Sequence, residues 1–148
     1  VGSSAVKLRQ LFESTKVPFD KTDTGMPDYN DMLKDPEYFK KNKGKQFEIV
    51  MMSPDEYIKR AIKGFKDHGE AADPMSHVRG SDKVSKYAEK MKNGEKFPML
   101  TLDYSSRRSF SGQKRKNFSQ EGRHRAEAAK TIGVSSVPVM VVKDTDPK

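Results

Sequence analysis

The residues of strongest chemical character stand together in this chain, in the run Gln120-Glu121-Gly122-Arg123-His124-Arg125-Ala126. A helix opening here leaves its first four backbone amides without intrahelical partners, and its macrodipole puts partial positive charge at the same end. Gly122 has no Cβ to hold a ligand away from the backbone. Arg123 and Arg125 can offer bidentate donors to phosphate oxygens, and His124 one donor more. A helix start of this kind holds a phosphate or a nucleotide. The same spacing equally suits a surface helix whose arginines pair with Glu121 and Glu127, because exposed ion pairs are common and weak.

The surrounding charge favours an anionic partner. The net charge is +8, and it is unevenly distributed. From Tyr104 to Lys130 there are eight Lys or Arg against two acids, whereas Phe47 to Asp103 balances at ten of each. The loop from Tyr104 to Phe118 sets Arg107, Arg108, Lys114, Arg115 and Lys116 among Tyr104, Phe110 and Phe118. Cations interleaved with aromatics suit a nucleic-acid backbone and its bases. The alternative is a loop anchored by its aromatics with the charges left in water.

Three groups nearby have the chemistry for catalysis. Metal-dependent phosphodiester cleavage needs carboxylates that hold Mg2+ or Mn2+ beside the phosphate. Asp103, closing a strand, and Glu121, beside the phosphate motif, are the carboxylates so placed; Asp103 also reads as a turn residue and Glu121 as an ion-pair partner. His124 titrates near neutrality and can serve as general acid or base. His68, His77 and His124 lack zinc-type spacing, so no structural metal site is expected.

The elements that must position these residues are marked by local signals. Residues 47–52 form an apolar strand, and Ser53-Pro54-Asp55-Glu56 opens the next helix, with Ser53 as cap and Glu56 reaching back to the cap amide. That helix carries Tyr57, Ile58, Ala61, Ile62 and Phe65 at helical spacing. Ser81-Asp82 opens a second helix that ends at Asn93-Gly94. Residues 97–103 form a second strand, 104–118 the basic loop, and 126–132 a helix stopped by Gly133. Residues 137–142 form a third strand whose continuous apolar run predicts burial on both faces. Ahead of them, residues 1–46 form an arm or lid in which Pro18, Gly25 and Pro27 mark irregular chain and Asp35-Pro36-Glu37 starts a short helix. The expected fold is α/β (α+β), a mixed sheet flanked by helices over 47–148.

The block Gly122-Arg123-His124-Arg125, followed by Ala126, Ala128, Ala129, Gly133 and Val137-Pro138-Val139, resembles the signature of the ParB/sulfiredoxin-like superfamily. The likeness spans roughly Phe47 to Val142, and the strand leading into Met52-Ser53-Pro54 agrees with phage-encoded members. It implies a ParB/sulfiredoxin-like fold with Gly122, Arg123, His124 and Arg125 on phosphate. The leading expectation is a phosphate-recognising nucleic-acid-binding domain of ParB-like nuclease type, a DNA nuclease where a metal is held. The alternatives are a nucleotide-binding ATPase or small-molecule kinase taking ATP or CTP, and a non-catalytic interaction module. Arg123 stands where sulfiredoxins carry their catalytic cysteine, and the chain has no cysteine, which excludes that chemistry. The Glu-Asn-x-x-Arg motif and operator-binding helices of partition proteins are not expected within a sequence ending six residues after Val142.

Composition sets the remaining bounds. Apolar content is 33% against 34% charged, which predicts a modest core within 148 residues. No run approaches the roughly 18 apolar residues of a membrane span, and Val1-Gly2-Ser3-Ser4-Ala5 lacks a signal-peptide core. Zero cysteines suit a reducing compartment, so a cytoplasmic protein with no membrane partner is the expectation.

Overall fold

A computed structural model describes residues 17–68, 73–108, 114, 115 and 118–145. It shows an α/β fold around a mixed sheet of four strands in the order β2-β8-β4-β7. Here β2 is Lys45–Met52, β4 is Leu100–Asp103, β7 is Ser119–Glu121 and β8 is Val137–Asp144. β8 runs antiparallel to β2 over eight rungs, from Lys45 opposite Asp144 to Met52 opposite Val137, and parallel to β4 from Val139 onward. It is thus the central strand, as its unbroken apolar run requires. Pro138 is tolerated there because it lies just before pairing with β4 begins.

Alternation along β8 and β4 divides the core between two faces. Val137, Val139, Val141, Leu100 and Leu102 face one way. Over them lie helices α3 (Pro54–Asp67), α4 (Asp82–Lys92) and α5 (Arg123–Thr131), packing with Tyr57, Ala61, Val84, Ala88, Ala126 and Ala129. Met99, Met140 and Val142 face the other way, against Met32, Tyr29, Leu33 and Phe39. Those four belong to α1 (Pro27–Lys34) and α2 (Pro36–Asn42), so the amino-terminal segment covers the second face of the sheet.

The capping signals act as their chemistry requires. Ser53 accepts from the Glu56 amide, Ser81 from Val84 and Asp35 from Tyr38. Four local expectations need correction. The Glu56 carboxylate does not return to its cap but pairs with Arg60 at 2.9 Å. Pro27 does not mark irregular chain: it stands at the first turn of α1, where a missing amide hydrogen costs nothing. The strand expected over 97–103 breaks at Met99. Its first part, β3 (Phe97–Pro98), pairs in parallel with β1 (Phe19–Asp20), and the Met99 amide donates to the Asp23 carbonyl at 2.8 Å. The basic stretch expected as loop carries a two-rung ladder, β5 (Arg107–Arg108) with β6 (Lys114–Arg115). Among the described residues, no helix is long and apolar enough to cross a membrane.

Candidate functional site

β7 delivers the chain from the basic stretch to the start of α5. It pairs antiparallel with β4, setting Glu121 opposite Thr101 and Ser119 opposite Asp103. Gly122 then takes φ +123, a conformation L side chains rarely adopt, and a Cβ on it would overlap the Leu100 side chain. The first intrahelical bond runs from the Ala126 amide to the Gly122 carbonyl at 2.8 Å. The amides of Arg123, His124 and Arg125 therefore precede the helical ladder, and no side chain caps them.

The three cationic side chains of this turn do different things. Arg125 points inward and is 9% exposed. Its Nη2 donates to the Met99 carbonyl at 3.0 Å, Nη1 lies 3.5 Å from Glu121 Oε1, and Nε has no partner. Burial pushes its pKa down from the ordinary guanidinium value, and Glu121 opposes that shift. Arg123 donates to the Pro74 carbonyl and lies 5.5 Å over the Phe65 ring, joining the 73–80 turn to α3. The His124 ring is 6.4 Å from that of His77. Burial holds the His124 pKa below its usual value, and the nearby charges of Lys83, Arg123 and His77 add to the depression. The outward groups at the helix start are thus cationic or donor-rich, while Arg125 braces the turn from beneath.

The carboxylates expected to hold a metal stand on one face of the β4–β7 pair, at diagonal positions, each with its own partners. Asp103 is 6% exposed and accepts from the Tyr29 hydroxyl at 2.6 Å, the Ser105 amide at 2.8 Å and the Ser105 hydroxyl at 2.6 Å. Glu121 lies two residues along the neighbouring strand and pairs with Arg125. Among the described residues, no three His, Cys, Asp or Glu side chains are grouped to hold a metal ion.

Of the five basic-loop residues singled out by sequence, four lie on the β5–β6 ladder. Arg107 stands opposite Arg115 and Arg108 opposite Lys114. Lys116 and Phe110 lie outside the described residues. The ladder's base is firmly tied. Ser106 donates through its amide and hydroxyl to Asp144, the hydroxyl at 2.6 Å, while Ser105 donates to Asp103. On the returning side Phe118 is buried, edge-on to Phe65 at 5.4 Å and 5.4 Å from Tyr104. The aromatics flanking the cations therefore serve as an anchor.

Asp103 also lines a second concave region. Tyr29, Lys43, Lys45, Asp144 and Ser106 meet Asp103 around a cleft between the first two helices and the sheet. They come from α1, the α2–β2 turn, three strand ends and the link between β4 and β5, so no spacing in the sequence announces them. Comparison with protein-family models, curated proteins and solved structures finds no match to this chain.

Proposed function

We propose that the chain is a phosphate-recognising nucleic-acid-binding domain of the ParB-like type, gripping a polyanion with the β5–β6 ladder and the amide-bearing start of α5. The observation that carries this reading is the register of the ladder: four cations on two rungs, Arg107 opposite Arg115 and Arg108 opposite Lys114. Like charges directly opposite one another destabilise a strand pair. A two-rung ladder loaded in this way gains from an external polyanion, and a two-stranded ribbon has the width to enter the major groove of a duplex. From Phe118, which anchors the returning side of the basic stretch, the three residues of β7 span about 10 Å to the α5 start. Both features can therefore engage one nucleic acid.

The test is the salt dependence of binding to a short DNA duplex. Replacing Arg107, Arg108, Lys114 and Arg115 by Gln removes up to four phosphate contacts, each worth about 0.9 in the slope of log K against log salt. The expected outcome is a slope shallower by roughly 3, with affinity at low salt falling in step. An unchanged slope and affinity would remove the basis of the reading.

A further inference from the structure

The two edges of the four-stranded sheet are built differently. β7 is three residues long, and shortness is one way in which an edge escapes unwanted pairing. β2, at the other edge, runs for eight residues in unbroken register with β8, and it carries no proline. Among the described residues, β8 is its only strand partner. Its side chains do not guard it either: Ile49 is 38% and Met51 41% exposed. Both share a face with Phe47. Phe47 packs against the methionine-rich cluster beneath α1 and α2, whereas Ile49 and Met51 lie outside that cluster.

The backbone of the same three residues faces outward. The Thr145 amide donates to the Gly44 carbonyl, so that pair is hydrogen-bonded across the β2–β8 ladder. Val142, opposite Phe47, turns its carbonyl the other way, where it accepts from the Tyr104 amide. Bonding alternates along an antiparallel pair. The N–H and C=O groups of Phe47, Ile49 and Met51 therefore point away from β8, toward the open edge. This edge is complementary to itself. A twofold axis through Ile49, normal to the sheet, sets Ile49 opposite its own copy and Phe47 opposite Met51, with all six side chains on one face. Placed at Glu48, the axis would instead set two carboxylates directly opposite each other, which destabilises a strand pair. The ends match in charge as well. Antiparallel pairing about Ile49 brings the turn carrying Lys43 toward the start of α3 in the other copy, where the Asp55 side chain is 70% exposed.

We propose that the outer edge of β2 is a docking surface for a second copy of this chain, the two β2 strands pairing antiparallel about Ile49 to join the sheets of two protomers. The three outward-facing residues of each copy exchange about six main-chain hydrogen bonds. The exposed Ile49 and Met51 then close against Ile49 and Phe47 of the other copy, the isologous contact expected of a twofold dimer. The inference is independent of what the β5–β6 ladder binds.

The experiment is sedimentation equilibrium on the full chain. A monomer–dimer equilibrium with a Kd of roughly 1–100 μM is expected, as for a small interface held mainly by one strand pair. Ile49→Lys sets two like charges opposite each other at the axis and should weaken the dimer about tenfold or more. Because Ile49 is exposed, the monomer measured at low concentration should melt within about 2 °C of the wild type. Cross-linking then reads the register in a chain that has no cysteine of its own. With diamide as oxidant, Ile49→Cys should give a disulfide-linked dimer, because opposed residues of a hydrogen-bonded pair have Cα atoms about 5.5 Å apart. Met51→Cys places its thiol four residues, about 14 Å along the strands, from its own copy and should stay uncross-linked. A chain that remains monomeric at about 200 μM leaves the edge to a foreign strand and overturns the proposal. A dimer that Ile49→Lys leaves unchanged, or equal cross-linking from Met51→Cys and Ile49→Cys, overturns it too.

Discussion

The ring of Phe118 lies directly on the backbone of Gly64, in the space where a side chain at that helical position would begin. Phe118 ends the basic stretch and Gly64 sits in the last third of α3, so this contact clamps the base of the β5–β6 ladder to the helical layer. The His68 ring, 6.1 Å away, and the Phe65 edge complete the seat.

This contact makes an unusual prediction for a glycine within a helix. In an exposed helix interior, Gly→Ala stabilises by roughly 0.5–1 kcal/mol. Here the added methyl would displace the Phe118 ring, and overpacking of this kind costs about 1–3 kcal/mol. Gly64→Ala should therefore lower stability in chemical denaturation. In a Phe118→Ala background the sign should reverse, because the methyl then enters vacated space. Additive effects across that double-mutant cycle would show that the two residues do not share the site.

Arg123 and Arg125 are two residues apart and should respond in opposite ways. Arg125→Met keeps much of the volume but leaves the Met99 carbonyl without its donor, a loss of about 1–3 kcal/mol. Arg123→Ala removes a partly exposed contact to Pro74 and a cation over Phe65, worth about 1 kcal/mol or less. Under the phosphate reading, Arg123→Ala should weaken DNA binding more than it lowers Tm, while Arg125→Met should lower Tm first. Equal loss of stability from both would mean that they brace the turn alike.

That division was partly legible. Spacing places Arg125 with Ala128 and Ala129, three and four residues on, and thus on the buried face of α5. A motif of alternating cations conceals this until the helix phase is fixed. Helix starts carrying their own chemistry, Ser53-Pro54, Ser81-Asp82 and Asp35-Pro36, were readable because a cap is a local event. α1 was not: Met26 precedes it without a capping side chain, and Pro27 serves a breaker and a first helical residue equally well. β7 is three polar or charged residues with no periodicity of its own, and only pairing with β4 makes it a strand. The mixed topology around β8 and the cleft at Asp103 arise from contacts between distant segments, which no window along the chain contains.

His124 supplies a pH signature. Its folded pKa is depressed below 6.5, chiefly by burial and then by Lys83, Arg123 and His77. The unfolded chain therefore takes up the proton first as pH falls. The stability associated with neutral His124 is fully present above about pH 6.5 and is lost as pH drops through the depressed folded value. His124→Gln should flatten that part of the stability profile. A phosphate at the α5 start offsets the neighbouring cations and favours the imidazolium, so DNA affinity should rise on mild acidification in the wild type and rise less in His124→Gln. A binding profile that His124→Gln does not change would separate this histidine from the phosphate site.

The bond from the Tyr29 hydroxyl to Asp103 bears on where the folding unit begins. It joins α1 to the end of β4, and beside it Met32 shields Met99, Met140 and Val142, all three fully buried. Tyr29→Phe leaves a nearly buried carboxylate short of one donor and should cost about 1–3 kcal/mol. Removing everything before Phe47 does far more: it exposes that methionine-rich face and also deletes β1, the partner of β3, and the first two residues of β2. The shortened chain should lose the near-ultraviolet circular dichroism and the cooperative melting that report fixed packing. A fragment that melts cooperatively near the full chain's Tm would instead make the segment before Phe47 a detachable lid. The graded mutant and the truncation together separate a cover that opens over the cleft from one that completes the core.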